Sequence, residues 1–314
     1  MGGGFPMAEG NMRWMIVVVI LLLLGFFSII VASIMSLSLI GSGTAEDNVA
    51  GNVAVIPVKG IINTYGSNSL YNDNLVSSTD VIRFLEKADE DKAISAIVLE
   101  IDSPGGTPVA SDEITQAIKR TEKPVIAWIR EMGASGAYFL ASACDHIIAN
   151  RMSLTGSIGV RGSYLEFAGL MDRYNVTYRR LVAGKYKDMG SPYKEMTEKE
   201  KEKMQELLDS IHEVFIEEVA SNRGLTEENV KKLATGEVYP GADAKEMGLV
   251  DEIGNKEAVL NHLEDRLNTT ISFRYYRQPR SLIDVFGSVA SKHGFSLGQG
   301  LASNPTRDGT PVLR

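Results

Sequence analysis

The chain has 314 residues, a formal charge of −8 and 44% hydrophobic residues, enough for one sizeable α/β domain or two small ones. Its charges are spread without a basic block, which gives nucleic acid no footing, and a lone cysteine, Cys144, excludes an intrachain disulfide or a cysteine-based metal cluster. The sequence holds no Walker-type loop or metal-ligand motif, so neither a nucleotide nor a metal cofactor is expected.

Residues 14–40, WMIVVVILLLLGFFSIIVASIMSLSLI, carry no charge. A bilayer is crossed by about 20 apolar residues, whereas a cleavable signal peptide uses only about 7–15, so this stretch predicts an uncleaved transmembrane anchor. Arg13 precedes it, and Glu46 and Asp47 follow. That asymmetry places residues 1–13 in the cytoplasm and everything after residue 41 outside the cell membrane, as a single-pass protein. Residues 41–51, GSGTAEDNVAG, read as a linker, residues 52–280 as the folded domain, and 281–314 as a partly disordered extension poor in apolar residues.

The domain opens with a strand at Val53–Val58, closed by Gly60, and an Asn/Ser-rich loop over 63–78. Ser78 or Thr79 can cap a helix with Val81, Ile82, Leu85 and Ala88 on one face. A strand at Ile94–Ile101 ends in Asp102-Ser103-Pro104-Gly105-Gly106, and a helix over about 109–119 follows. The apolar run Pro124–Ile129 then leads into Met132-Gly133-Ala134-Ser135-Gly136-Ala137-Tyr138, where a strand turns into a helix. A further strand, His146–Ala149, precedes Thr155-Gly156-Ser157-Ile158-Gly159-Val160. Alternating strands and helices predict an α/β layer with largely parallel pairing, its Gly-rich turns at the carboxyl end of the sheet. Residues 176–182, VTYRRLV, predict another strand, and Thr197 with Glu200 a capping box. The long helix behind that box presents Met204, Leu207, Leu208, Ile211, Val214, Phe215 and Val219 and stops at Gly224; Thr226 opens a shorter one.

Ser135 sits where an acyl-transfer nucleophile is useful, exposed at a helix N-terminus beside unpaired amides. A serine needs a base. None of His146, His212, His262 and His293 lies in a Gly-rich turn near it, which disfavours a Ser-His-Asp triad. A lysine held neutral by burial can serve instead, and Lys185 and Lys187, between Gly184 and Gly190, are both candidates. Gly105-Gly106 and the Gly136 amide can supply a two-donor oxyanion hole.

The ordered set of Asp-Ser-Pro-Gly-Gly at 102–106, Gly-Ala-Ser-Gly at 133–136, Thr-Gly-Ser-Ile-Gly-Val at 155–160 and Gly-Lys-Tyr-Lys-Asp-Met-Gly-Ser-Pro at 184–192 resembles the signal peptide peptidase A family in its short, single-copy form. The run 236–254, with Val238-Tyr239 and Gly248-Leu249-Val250-Asp251, extends the likeness to residue 256. The resemblance implies a Clp-protease/crotonase-like fold of ββα units and a membrane-anchored serine endopeptidase that hydrolyses remnant signal peptides. It selects Ser135 as nucleophile, Lys187 over Lys185 as general base, Gly106 and Gly136 as oxyanion donors, and Ser157 to orient the lysine amine. It also implies a homo-oligomer, and leaves open whether the dyad is completed within one chain or across a subunit boundary. Ala137 departs from the family, which often has a second glycine there. Two other readings belong to the same fold: an NfeD-like membrane Ser-Lys protease acting on a membrane-protein partner, and a crotonase-like acyl-thioester enzyme. The first would bring a C-terminal multi-span region and a small barrel, and the chain shows neither; the second would need a site for coenzyme A and a Glu or Asp acid-base, and an anchored domain outside the cytoplasm disfavours a supply of coenzyme A.

Overall fold

A computed structural model describes residues 14–29, 51–65 and 75–276. Residues 50–278 form one compact unit, and residues 14–29 belong to another. In the latter, residues 14–29 are helical (α1), with every side chain exposed. Among the described residues no helix is long and apolar enough to cross a membrane. Residues 30–40 of the expected anchor, most of the linker and the extension from 281 lie outside the described residues.

The larger unit opens with β1 (Val53–Lys59) and β2 (Ile61–Asn63), followed by β3 (Leu75–Ser77) and α2 (Ser78–Glu90). Where a loop is expected over 63–78, β3 pairs in parallel with β2 in a small separate sheet. The helix begins one residue earlier than expected: its N-cap is Ser77, without a side-chain cap bond because its hydroxyl donates to the Thr64 carbonyl (3.1 Å), while Ser78 Oγ donates to Glu113 Oε2 (2.5 Å) and Thr79 Oγ1 to the Thr64 carbonyl (3.0 Å).

Next come β4 (Ala96–Ser103), α3 (Pro108–Arg120), β5 (Val125–Ala134), α4 (Gly136–Ser142), β6 (His146–Ala149) and β7 (Leu154–Gly156). The main sheet runs β10-β1-β4-β5-β6-β9, with β9 (Glu252–Ile253) and β10 (Phe273–Tyr275) at its edges, and all these pairs are parallel. Parallel strands covered on both faces read as continuous apolar runs, and β4 is buried at seven of its eight positions. Alternation divides β1 between two cores. Ala54, Ile56 and Val58 join the large cluster that includes Val81 and Leu85 of α2, Ile114 of α3 and Leu140 of α4. Val53 and Val55 face the other way, in a smaller cluster with Val259 and Leu263 of α9 (Lys256–Leu267).

Between β7 and the next long helix the chain departs from expectation. Residues 176–182 form no strand; α5 (Ala168–Arg173) precedes them, and they run unpaired, with Leu181 97% exposed. Their β propensity finds no partner, since a strand is stabilised by cross-strand neighbours, and Arg180 and Tyr178 instead bind Asp188 at 2.7 and 3.2 Å.

The capping box forms as expected at the start of α6 (Glu198–Arg223), and Gly224 ends the helix at φ 62°. Only Phe215, Ile216, Val219 and Ala220 of its apolar side chains reach the core; Leu207 and Val214 are exposed. Hydrogen bonds from Lys194, then from the Thr197 amide and hydroxyl, hold the Glu200 carboxyl down to about 2. A depressed carboxylate contributes stability that is full above its ordinary pKa of about 4.3 and is lost as pH falls through its folded value. Glu200→Gln is therefore expected to lower Tm at neutral pH and to flatten the fall of Tm between about pH 4.5 and 2. Equal slopes in thermal scans of the two proteins would contradict this.

Behind α6 lie α7 (Glu227–Leu233), β8 (Val238–Pro240) and α8 (Gly241–Glu246). This segment braces what comes before it. β8 pairs antiparallel with β7, the fully buried Tyr138 donates to the Leu249 carbonyl (2.9 Å), and Asp251 accepts from Arg223 and from the Ile147 amide.

Candidate active site

Three strands end side by side at the carboxyl edge of the sheet: β4 before the Ser-Pro-Gly-Gly turn, β5 before Ser135 and β7 before Ser157. Ligands of open α/β sheets bind at that edge. Ser135 is the N-cap of α4 at φ 54°, ψ −126°. For a residue with a Cβ this is a strained conformation, of the kind that persists at functional sites because its surroundings enforce it. Two bonds hold it there: its amide donates to the Gly156 carbonyl (2.8 Å), and its carbonyl accepts from Phe139 (2.9 Å). Ser157, the residue after Gly156, also has positive φ, at 52°. Its amide donates to the Glu237 carbonyl (2.6 Å) and its hydroxyl to the Gly236 carbonyl (3.4 Å), so the 236–239 segment fixes it from outside.

The Ser-Pro-Gly-Gly turn is folded against the serine. Ser103 Oγ accepts from the Gly105 amide (3.1 Å). Ile62 of β2 clamps the turn, donating to the Gly105 carbonyl and accepting from the Thr107 amide, both at 2.9 Å. A Cβ on Gly105, at φ 99°, would lie 2.7 Å from Gly136 N and 2.9 Å from Ser135 Cβ, and one on Gly106 would overlap the Ile62 carbonyl oxygen at 1.9 Å. A Cβ on Gly136 would come within 3.2 Å of Gly106 N. The two glycine amides therefore lie together beside Ser135, and among the described residues neither has a hydrogen-bond acceptor. That is the arrangement of an oxyanion hole, with donors that need no reorganisation as charge develops.

The fold thus brings together Ser135, Gly106, Gly136 and Ser157. It does not bring Lys187 into contact with them. Lys187 lies exposed in the turn over 185–190, its amide bonded to the Gly184 carbonyl (3.2 Å), and its ammonium has no partner among the described residues. Lys185 Nζ sits 5.1 Å over the Tyr186 ring. Of the histidines, His146 opens β6 at the opposite end of the sheet, His212 lies in α6, His262 in α9, and His293 falls outside the described residues.

The profile of peptidase family S49 matches residues 117–270, which include Ser135, Ser157 and Lys187. A putative protease of Methanocaldococcus jannaschii, MJ0651, is 37% identical over 60% of this chain and 61% of its own length. The putative signal peptide peptidase SppA of Enterococcus faecium is 34% identical over 72% of this chain and 67% of its own length. The chain belongs to peptidase family S49. S49 peptidases are serine proteases. The chain spans 61% and 67% of the length of these two relatives. Its fold is similar to that of a mutant of the 1510-N membrane-bound stomatin-specific protease solved with a substrate peptide, with a TM-score of 0.50 and 17% identity, covering 77% of this chain and 99% of that one.

Within this S49 chain one neighbour of the site has no sequence signal. Ser111 of α3 is buried and donates to the Thr107 carbonyl (3.1 Å), and its hydroxyl would lie 2.3 Å from a Cβ on Gly136. Gly136→Ala is expected to lower kcat about 10–100-fold by displacing the amide that lies beside Ser135. Adding Ser111→Ala removes that hydroxyl and leaves Gly106 N at 3.2 Å and Ser111 Cβ at 3.3 Å from the added methyl. The double variant is expected to recover part of the loss in steady-state assays; no recovery would place the fault elsewhere.

A cavity of about 780 Å³ lined by Glu100, Trp128, Arg130, Asn255, Lys256 and Tyr275, among others, includes none of these site residues.

Proposed function

We propose that this protein is a membrane-anchored serine endopeptidase with a Ser135–Lys187 dyad, acting on signal peptides left in the membrane after preprotein cleavage. The observation that carries the reading is the strained Ser135 beside the amides of Gly106 and Gly136, which find no acceptor among the described residues. In the mechanism, Lys187 as free amine takes the Ser135 proton, and Ser135 Oγ attacks the scissile carbonyl. The two glycine amides bind the resulting oxyanion, and Ser157 orients the lysine. The protonated amine then protonates the leaving nitrogen, and water hydrolyses the acyl-enzyme with Lys187 again as base. The strand–turn–helix units would repeat as the Clp-protease/crotonase-like ββα spiral.

A lysine base must be kept neutral, and water around an exposed ammonium opposes that. The exposure of Lys187 in the single chain supports a homo-oligomer in which a neighbouring subunit covers it and brings it to a second Ser135. Exposed Leu165, Tyr174, Leu181 and Val182 around the same arm are consistent with such a contact. The charge-free run 14–40 supports a single-pass anchor that holds the site outside the cytoplasm, at the bilayer surface where apolar peptides collect. The name of the Enterococcus faecium relative supports the substrate class.

The test is cleavage of a synthetic signal peptide in detergent, compared with a charged peptide of equal length and with an acyl-thioester. Cleavage of the signal peptide alone is expected. Hydrolysis only of the thioester would overturn the peptidase reading.

A further inference from the structure

At the amino end of β6, three side chains that bind transition metals face one another. His146 opens β6, Glu252 opens β9, and His262 belongs to α9. One donor atom from each lies within 4.8 Å of the others. The two imidazoles stack with centroids 4.0 Å apart and planes 14° from parallel, and His146 Nε2 is 3.3 Å from Glu252 Oε2.

Two observations set this cluster apart from a chance surface grouping. His262 Nε2 is buried and has no hydrogen-bond partner among the described residues. An orphaned ring nitrogen is unfavourable, and a metal bond would relieve it. The second observation concerns Asp251, which Arg223 holds at 2.6 and 3.0 Å and the Ile147 amide at 2.8 Å. Fixed in this way, it faces His146 Nδ1 at 3.9 Å. At that distance Asp251 makes no hydrogen bond to the ring, but its fixed negative charge lies on the side of the ring away from Nε2, the nitrogen that meets Glu252.

We propose that His146, Glu252 and His262 bind one divalent ion of the zinc class, with water completing the coordination. Two imidazoles and one carboxylate suit zinc or cobalt and are poorly matched to calcium or magnesium. The site joins α9 to β6 and β9, and Val259 and Leu263 of α9 cover the second core. Its role is to fasten that cover and not to take part in peptide cleavage. Ile126 pairs with His146 across β5 and β6, and Ser135 lies nine residues further along the chain. At about 3.3 Å per residue the two sites are roughly 25–30 Å apart.

The test uses the full chain, purified without a histidine tag and stripped of metal, then titrated with Zn²⁺ or Co²⁺. One ion per chain is expected, with a rise in Tm of about 5 °C or more at a free concentration ~100-fold above Kd. Bound Co²⁺ is expected to show the intense visible bands of four-coordinate cobalt. His262→Ala and Glu252→Gln should each weaken binding at least about 10-fold, whereas His212→Ala should not. An unchanged Tm with no cobalt spectrum in the unmodified protein overturns the proposal. So does undiminished binding in Glu252→Gln, which conserves shape should His262→Ala fail to fold.

Discussion

Replacing Lys187 with alanine is expected to lower kcat/KM for an apolar peptide by about 10³-fold or more, without a change in Tm beyond about 1 °C. The stability half follows from the structure: the side chain is exposed and its ammonium makes no bond among the described residues, so no contact described in the fold is lost with it. The activity half follows from chemistry, because a serine hydroxyl without a base is a poor nucleophile. Lys185→Ala, two residues earlier, is expected to stay within a few-fold of the unmodified enzyme. A base that works as a free amine also gives a rate that rises with pH. If the lysine serves the serine of a neighbouring subunit, Lys187→Ala and Ser135→Ala chains mixed before assembly should regain about a quarter of full activity, the product of two random halves at a heterologous contact. A mixture that stayed inactive would place both groups of a working site in one chain.

Ser135→Ala is expected to remove about 10⁴-fold or more of kcat, leaving the background that the oxyanion hole and binding supply. Ser135→Gly should be equally inactive and also more stable, by about 1 kcal/mol. The positive φ of residue 135 costs a side-chain-bearing residue about 1–3 kcal/mol, part of which glycine gives back through its greater chain entropy. Thermal unfolding of the two variants checks this. A glycine variant no more stable than the alanine variant would mean that the corner is not strained.

Much of the sheet was legible because the inner strands of a parallel layer are apolar throughout, as in Val53–Val58 and Ile94–Ile101, and helix signals were strong at Thr197, Glu200 and Gly224. The corner at Ser135 was legible for the same reason, since a strand signal ran directly into a helix signal across small residues. Elements whose order depends on a partner were not. Residues 176–182 have the composition of a strand but no neighbour to pair with among the described residues, and β2 and β3 are three residues each, too short to show a period. The exposed first half of α6 shows the limit of amphipathicity, which identifies an apolar face but not what covers it. In the site, spacing pointed to Ser135 and to Gly105-Gly106, while choosing Lys187 over Lys185 needed the family resemblance. Ser111 looked like any helix residue. His146, Glu252 and His262 lie more than a hundred residues apart at their widest, and it takes the pairing of β6 with β9 and the stacking of His262 of α9 on His146 to bring them together.

Peptide cleavage by this chain requires Ser135 to be an activated nucleophile. The direct measurement is treatment of the full-length protein with a fluorophosphonate probe, followed by mass-spectrometric mapping of the adduct. The account predicts one phosphonylated site, on the peptide containing Gly133-Ala134-Ser135-Gly136, with labelling abolished in Ser135→Ala and strongly slowed in Lys187→Ala. An unlabelled protein that nevertheless cleaves peptides, or an adduct on any other residue, would contradict it.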